Sequence, residues 1–375
     1  MKREFHAQYA FALQDSTTQA FALDWLVGKS TRTPQRWPEA RELGAGADDF
    51  ARLMVLTQAI VTGYKDQARM GGRRDPGGLY YWIRNKSQAW LRERMKLMQD
   101  TFNLTNHHDA LSPSLPDLST FPPGSWAVRV AFTLKKPYIS KDDTEFYILD
   151  NPVKKEWVFK VPYVAPSQWK GALRAAMTRN LAEQAETLDM DSWVEQRIQL
   201  ARLFGNEKGV RIDDERFEAY LDRLKPEAAE KYRERLAEYT PTGSLRGRLH
   251  FYPTFFDRIG LEVINPHPRD TGAGKQPIYF ECVPADTSGV FTLLYVPLDT
   301  GPKDMETAKA DLAAVAHGIR TMLTEYGFGA KTSSGYGVAE QKDSEIKANG
   351  LPEAENIFRA TLLREHSTPG GEGHE

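Results

Sequence analysis

The densest group of residues that could do chemistry lies in the segment GFGAKTSSGYG. Four glycines and four polar residues fill it: Gly327, Gly329, Gly335 and Gly337 with Lys331, Thr332, Ser333 and Ser334. Glycine permits positive φ and close approach of the backbone to a ligand, so exposed amides with a lysine can surround a phosphate. A Walker loop is excluded because Ala330 precedes Lys331 and the segment follows a predicted helix. The pattern predicts a phosphate-contacting loop, with a plain helix-to-strand connector as the alternative.

A second group follows the turn-rich segment after residue 147. Ser167 is predicted to cap a helix whose apolar residues recur every four positions: Trp169, Leu173, Met177 and Leu181. Lys170 and Arg174 lie one turn apart on a different stripe. A helix N-terminus offers unpaired amides and the positive end of a dipole, so the pattern predicts an anion site. A solvated basic helix face is the alternative.

Asp150 lies between a predicted strand and this helix, in the sequence Asp-Asn-Pro. Such a carboxylate can act as a general base on a ribose 2′-hydroxyl, or hold a metal beside a scissile phosphate. Asp-Asn-Pro is also a common turn sequence, which is the structural alternative.

A basic segment runs from Lys65 to Asp100, where nine Lys and Arg face four Asp and Glu. Tyr80, Tyr81, Trp82 and Trp90 are interleaved with the charges. This combination can bind RNA by phosphate neutralisation and stacking, but the aromatics can equally be helix core. The nearby sequence NHHD, residues 106–109, could ligate a metal, although no second cluster completes a site.

Composition narrows the classes of protein. The 375 residues carry 49 basic and 51 acidic side chains, a net charge of −2 and 41% hydrophobic residues, which excludes a disordered or collagen-like chain. The lone Cys282 excludes an internal disulfide. An apolar run of about eighteen residues and a secretory segment are both lacking, so we expect a cytoplasmic protein with no membrane partner. Nucleic-acid binding would need a local basic groove.

The chain divides by pattern into three parts. Residues 1–120 form a predicted helical N-terminal region that ends in a Pro/Ser-rich linker. Residues 121–345 form the main domain, and residues 346–375 a C-terminal extension that is partly disordered.

Within the main domain, Trp126–Leu134 alternates as a half-buried strand. The helix from Ser167 follows, then a helical insertion over about 182–240, interrupted at FGNEKG. Further strands are predicted at 245–252, 278–283 and 291–296, then a helix ending at Gly327 and a short strand starting near Tyr336. The order strand, helix, strand, strand, helix, strand predicts an α+β, ferredoxin-like fold with an antiparallel sheet.

Several ordered motifs carry a resemblance. VPYVAPSQWKGALR, LARLFGN, GSLRGRLHFYPTFF, a Thr-Gly-Ala before the Pro-Ile-Tyr-Phe strand, and GFGAKTSSGYG occur in this order over about residues 126–340. Together they resemble the RAMP superfamily of CRISPR-associated proteins. The glycine-rich ending is most similar to the family of the sixth subunit of Cmr complexes, which are backbone subunits of type III effectors. The resemblance implies an RRM-like ferredoxin core.

The resemblance also implies a function and partners. The chain would bind CRISPR guide RNA through its backbone, while base pairing with target RNA supplies specificity, and it would assemble with other subunits of a type III effector complex in antiviral defence. Matching positions implicate two sets of residues in RNA binding: Ser167, Lys170, Gly171 and Arg174, and Gly329, Lys331, Thr332, Ser333, Ser334 and Gly335. Residues 261–280 occupy the place of a thumb hairpin that inserts into the guide–target duplex, and the N-terminal helices would pack on a neighbouring subunit.

Activity stays open on this resemblance. Type III backbone subunits that cut target RNA have a catalytic Asp after the first strand, where Asp150 stands, whereas the sixth Cmr subunit is generally non-cleaving. We expect an RNA-binding subunit first; no cofactor is required for binding, and a divalent metal enters only if target RNA is cut. One alternative is a stand-alone RAMP endoribonuclease that processes CRISPR transcripts, for which His250 and His317 are candidate bases. Another is an RRM-like protein whose RNA is unrelated to CRISPR.

Overall fold

The computed structural model describes residues 16–37, 40–61, 63–71, 76–102, 114–142, 147–205, 217–239, 245–265, 277–297 and 304–363. Its helices are α1 Ser16–Leu26, α2 Ala40–Gly46, α3 Asp49–Met54, α4 Gln58–Val61, α5 Lys65–Met70, α6 Gly78–Asn85, α7 Ser87–Thr101, α8 Pro166–Ala182, α9 Met190–Phe204, α10 Phe217–Leu224, α11 Ala229–Tyr239, α12 Met305–Thr321 and α13 Ala354–Leu362. Its strands are β1 Trp126–Leu134, β2 Tyr163–Val164, β3 Leu249–Phe251, β4 Thr254–Phe255, β5 Gly260–Ile264, β6 Ile278–Cys282, β7 Ser288–Tyr295 and β8 Ala339–Ala348.

The chain forms two compact units that are each discontinuous in sequence. Unit 1 comprises residues 1–111, 136–163 and 255–287. Unit 2 comprises residues 112–135, 164–254 and 288–375. The domain limits expected from the sequence stay a prediction; the units divide the chain differently, because two later segments join the N-terminal helices in unit 1.

Unit 2 is built on a four-stranded sheet in the order β3-β7-β1-β8. Every pairing is antiparallel, with Val128 opposite Leu293 on β7 and opposite Ile346 on β8. With α8 after β1 and α12 after β7, this is the connectivity of a ferredoxin-like fold. The predicted α+β class, the antiparallel sheet and the strand over Trp126–Leu134 are confirmed.

One face of this sheet packs against the helices through aromatic rings. Trp169 on α8 is fully buried, and its ring lies 5.0 Å from that of Phe291 and 6.0 Å from that of Phe132, measured between centroids. The stripe predicted for α8 is buried as expected. Helix α12 approaches α8 at Gly318, where a Cβ would meet Met177 Cγ at 2.4 Å, so glycine is required by close packing there.

A buried polar network also stabilises unit 2. Asp311 on α12 is fully buried and accepts hydrogen bonds from Arg202 Nη2 at 2.6 Å and from the Tyr295 hydroxyl at 2.9 Å. Arg248 donates to the same hydroxyl at 2.8 Å, and Gln199 donates to Asp311 at 3.0 Å. Burial first, and then the charge of Asp311, raise the pKa of Tyr295, so this hydroxyl stays protonated.

The helical insertion is confirmed as α9, α10 and α11. These helices share a hydrophobic cluster that includes Trp193, Ile198, Leu221 and Tyr232. Helix α9 begins after Asp189, whose carboxylate accepts a hydrogen bond from the Ser192 amide at 2.9 Å.

Unit 1 contains α1 to α7 and the antiparallel hairpin of β5 and β6. Its buried polar centre is Glu281 on β6, which accepts hydrogen bonds from the Tyr147 hydroxyl at 2.6 Å and from the Val153 amide at 3.1 Å, and pairs with Lys155. Burial and the adjacent Glu281 carboxylate raise the pKa of Tyr147 well above its usual range.

Two local predictions were wrong. Ser167 does not cap α8: the N-cap is Ala165, Pro166 occupies the first helical position, and the Gln168 side chain accepts the Ala165 amide hydrogen bond at 2.9 Å. The last strand starts at Ala339, not near Tyr336, and runs for ten residues. The predicted helix end at Gly327 is confirmed: α12 continues as a π-helical turn over Met322–Tyr326, and Gly327 ends it with φ +71°.

In the described part of the chain, none of the helices is both long and apolar enough to span a membrane.

Candidate nucleic-acid interface

The start of α8 presents basic side chains on the surface of unit 2. Lys170 is exposed and Arg174 is half-buried. Trp169, the residue before Lys170, is buried and donates a hydrogen bond from its Nε1 to Thr254 Oγ1 at 3.0 Å. Partial desolvation by the neighbouring atoms first, and then the like charge of Arg174, lower the pKa of Lys170 although its side chain reaches solvent. Two like charges held one turn apart favour an anion between them, since an anion relieves their repulsion.

Gly171 has no structural reason for being glycine within the described residues. It lies inside α8 and is exposed, and a Cβ added there would meet nothing within 4 Å. Glycine inside a helix costs about 0.5–1 kcal/mol relative to alanine. An exposed helical glycine beside Lys170 fits close approach of a ligand to the backbone.

Arg246 and His250 lie near the same lysine. Burial first, and then the charges of Arg246 and Lys170, lower the pKa of His250. The charges of Lys170 on α8 and of Arg246 before β3 therefore both act on His250. Arg246 was missed from the sequence; its place in GSLRGRLHF, directly before β3, was the available signal.

The glycine-rich loop has a defined conformation. Lys331 is exposed with φ +58°, a left-handed conformation, and it precedes a 3₁₀ turn over Thr332–Ser334. The turn is closed by hydrogen bonds from the Ser334 amide to the Lys331 carbonyl at 2.9 Å and from the Gly335 amide to the Thr332 carbonyl at 2.8 Å. These two amides are therefore used within the turn and do not serve as donors for an anion, so the phosphate-contacting role of the loop stays a prediction.

The loop glycines divide into two kinds. A Cβ at Gly337 would lie 1.9 Å from the Phe328 carbonyl oxygen, and one at Gly327 would lie 2.6 Å from the Tyr336 carbonyl oxygen, so both close the base of the loop. Gly335 has φ +82° with nothing within 4 Å of its Cβ position, and Gly329 has φ +93°. The backbone of a connector therefore accounts for all four glycines, and the empty space at Gly335 leaves the tip of the loop open to a ligand.

Phe328 connects this loop to α8. Its ring centroid lies 4.5 Å from that of Trp169 and 5.6 Å from that of Phe132. The base of the glycine-rich loop therefore packs on the residue that directly precedes Lys170. Both predicted RNA-binding sets lie in unit 2, although their RNA contacts stay a prediction.

Asp150 lies in unit 1 and is held by two cations of α5. Its Oδ1 lies 3.1 Å from Lys65 Nζ and its Oδ2 lies 2.9 Å from Arg69 Nη2, while its side chain is 70% exposed. Burial raises the pKa of Asp150, but the hydrogen bond from Lys65 and the charge of Arg69 outweigh it and lower the pKa below the usual value. Arg69 is itself buried and donates to the Ile148 carbonyl at 3.1 Å.

This pairing bears on chemistry. A carboxylate with a lowered pKa is a weak proton acceptor near pH 7, and its two cations compete with a metal ion for its oxygens. Among the described residues, no group of three or more His, Cys, Asp or Glu side chains could hold a metal. His107, His108 and Asp109 lie outside the described residues. Catalysis by Asp150 stays a prediction.

The basic segment from Lys65 to Asp100 has mixed outcomes. Trp82 and Trp90 are buried in the core, as the structural alternative expects. Tyr80 is half-buried under the Arg84 guanidinium, whose carbon lies 5.4 Å from the ring centroid.

The hairpin expected over 261–280 is present as β5 and β6; its central residues 266–276 lie outside the described ones.

A protein-family model described as "RAMP superfamily" matches residues 77–340. Many solved structures are similar to the chain, among them three from CRISPR systems. A chain of the type III-B Cmr-beta complex bound to cognate target RNA is 14% identical, with 89% of this chain and 100% of that one covered and a TM-score of 0.42. Cmr6 from Pyrococcus furiosus is 17% identical, with 59% and 99% covered and a TM-score of 0.30.

The third structure is a CRISPR RNA-guided surveillance complex in a pre-nicking state, 13% identical, with 65% and 84% covered and a TM-score of 0.33. With TM-scores below 0.5, these similarities define neither fold nor function. No curated protein matches the chain.

Proposed function

The chain belongs to the RAMP superfamily, and on that basis we propose that it is a CRISPR RNA-binding backbone subunit of a type III effector complex in antiviral defence. The guide phosphates bind at the start of α8, around Lys170, Gly171 and Arg174, and at the tip of the loop over Gly329–Gly335. Sequence is read by base pairing of the guide with target RNA, since a phosphate surface carries no base specificity.

The observation that carries this proposal is the open helical Gly171 next to Lys170. A glycine that costs helix stability and that no neighbouring atom requires is explained by a ligand that needs the backbone surface. Lys170, Arg174 and Arg246 supply the positive charge that a phosphate would neutralise there.

The test is to purify the chain from its host at mild salt and sequence the RNA that accompanies it. We expect short RNAs that share one repeat-derived end and differ in their spacers, together with other effector subunits. Protein without RNA and without subunits would refute the proposal.

A stand-alone ribonuclease is the second candidate, and His250 favours it. Burial first, and then the charges of Arg246 and Lys170, lower its pKa, so the imidazole is neutral at pH 7, as a general base requires. Incubation of the purified chain with CRISPR transcripts distinguishes the two: cleavage that His250→Ala abolishes without loss of binding supports the ribonuclease.

Cutting of target RNA by Asp150 is a further element of the proposal. In a reconstituted complex with divalent metal, Asp150→Ala would abolish cleavage at one position and leave guide binding unchanged. Lys65→Ala is the matched variant, because it frees the carboxylate from one cation and would raise any cleavage that needs a metal at Asp150.

A further inference from the structure

A tight turn in unit 1, over residues 155–162, is built to hold a fixed shape. The Glu156 amide donates to the Val161 carbonyl at 2.8 Å, and the Lys160 amide donates to the Glu156 carbonyl at 3.0 Å. The Glu156 carboxylate accepts further hydrogen bonds from the amides of Val158 at 2.8 Å and Phe159 at 2.6 Å. Lys160 adopts φ +59°, a conformation that costs a non-glycine residue about 1 kcal/mol or more.

The turn is anchored on one side and exposed on the other. Phe159 is buried with Met95, Met98 and Val161. Trp157 is 81% exposed and Val158 is 68% exposed, the two highest values among the exposed large hydrophobic side chains of the described residues. A tryptophan held outward on a rigid turn forgoes burial of a large apolar surface, so a partner that covers it would gain that stabilisation.

The surroundings of Trp157 combine aromatic and cationic groups. The Lys160 ammonium lies 4.8 Å from the centroid of the Trp157 ring. Beside it opens a cavity of about 390 Å³ whose lining includes Trp157, Lys160 and Trp90 together with the acidic Asp48 and Asp142. Arg94 also lines it and pairs with Asp48, so Lys160 is the cation that the inference uses. This volume falls in the range of small-ligand pockets, about 300–1,000 Å³.

Aromatic rings with adjacent cations are the elements that bind single-stranded nucleic acid without base specificity. The base stacks on the ring and the cation neutralises the neighbouring phosphate. A purely apolar docking surface for a protein would not need a lysine over its most exposed ring.

We propose that Trp157, Lys160 and the adjoining cavity bind one nucleotide of single-stranded RNA, with the base stacked on Trp157 and its phosphate at Lys160. The inference rests on the proposed function only in that RNA is the ligand. The site lies in unit 1 and shares no residue with the phosphate surface of α8, so the two can fail separately.

The test uses the full chain and a uniform-sequence single-stranded RNA carrying 5-iodouridine. We expect a photo-crosslink that maps by mass spectrometry to Trp157, and an affinity loss of about 5- to 150-fold for Trp157→Ala. Trp157→Phe would retain most of the affinity because it keeps a stacking ring. Lys160→Asn removes the charge while tolerating the left-handed backbone, and would weaken binding with a reduced salt dependence.

Tyr220→Ala is the matched control, since Tyr220 is an exposed aromatic, 45% accessible, on α10 of unit 2. It would leave the affinity and the crosslink unchanged. The RNA affinity of the double variant Lys170→Ala/Arg174→Ala is measured in the same experiment.

Each outcome decides one proposal. Unchanged affinity for Trp157→Ala and no crosslink at Trp157 in the wild-type chain, with a loss of affinity for Lys170→Ala/Arg174→Ala, overturns this inference and leaves the proposed function standing. The reverse pattern supports this inference and contradicts the proposed function. Unchanged RNA affinity combined with loss of a co-purifying subunit in Trp157→Ala also overturns it, and assigns the turn to a protein contact.

Discussion

The ring of Phe328 packs on the ring of Trp169, with their centroids 4.5 Å apart. Phe328 lies at the base of the glycine-rich loop, and Trp169 directly precedes Lys170 on α8. Such a pair contributes about 0.5–1.5 kcal/mol beyond its buried area, enough to keep the loop base in place relative to the helix. Two segments about 160 residues apart in sequence thereby form one surface.

Gly171→Ala separates ligand contact from protein stability. We expect the free energy of unfolding to rise by about 0.5–1 kcal/mol, because alanine is the better helix former and meets no neighbour, while RNA affinity falls. Urea unfolding and RNA titration measure the two effects. Gly318→Ala is the contrast, since its Cβ would meet Met177, and we expect it to be destabilising. Unchanged RNA affinity in Gly171→Ala would refute close approach of RNA at this position.

His250 reports on the charge of the bound ligand. In the free protein its pKa is lowered, so protonation opposes folding and stability declines as the pH falls below about 6.5. A phosphate near Lys170 would offset the charges of Lys170 and Arg246 and so raise the pKa of His250 relative to the free protein, and RNA affinity should increase as the pH falls from about 7.5 to 5.5. NMR titration of the imidazole with and without RNA measures the shift, and His250→Gln should flatten the pH dependence of binding. A pKa that RNA leaves unchanged would place the phosphates elsewhere.

Asp150→Asn should destabilise unit 1 modestly. The two ion pairs lower the pKa of Asp150, so their stabilisation is present above the unfolded pKa of about 3.9 and is lost as the pH falls through the lower folded value. Because the side chain is largely exposed, we expect a loss of about 0.5–1 kcal/mol at pH 7 that diminishes in acid, as the pH falls below the unfolded pKa and through the folded one. Thermal unfolding across this pH range, with Lys65→Ala in a double-mutant cycle, checks it; a difference that persists in acid would mean that the ion pairs are not its source.

Asp311→Ala should have the largest effect on stability. It removes the carboxylate that compensates Arg202 and leaves buried guanidinium and hydroxyl groups without that partner, so we expect a loss of about 3–5 kcal/mol or failure to fold. Asp304→Ala, which removes only the cap of α12, should cost about 1 kcal/mol in the same urea titration. Equal losses in the free energy of unfolding for the two variants would contradict the stabilising role of the buried network around Asp311.

The sequence predicts the sheet core well because its signals are local. The alternation of Val128, Val130 and Phe132 and the four-residue spacing from Trp169 are read directly from side-chain periodicity, and both are confirmed. The cap of α8 was misassigned because Ser167 and Pro166 both suit a helix start, and proline at the first helical position moves the cap back to Ala165.

The features of the candidate sites that the sequence does not predict depend on contacts between distant segments. The pairing of Asp150 with Lys65 and Arg69 joins residues about 80 positions apart, and it changes the carboxylate from a free base to a charge-paired group. The joint effect of the Arg246 and Lys170 charges on His250 likewise depends on the fold, because the two residues are 76 positions apart in sequence. Trp157 reads as one more apolar residue, and only its exposure singles it out.

The salt dependence of RNA affinity tests the central claim most directly. Lys170→Ala/Arg174→Ala is compared with Lys231→Ala/Arg235→Ala, which removes the same two charges at the same spacing from α11, where they pair with Asp191 and Glu195. If each α8 cation neutralises one phosphate, the slope of log affinity against log salt should become shallower by about 1.4 for the first variant and stay unchanged for the second. Equal slopes for the two variants and the wild-type chain would show that RNA does not bind at the start of α8.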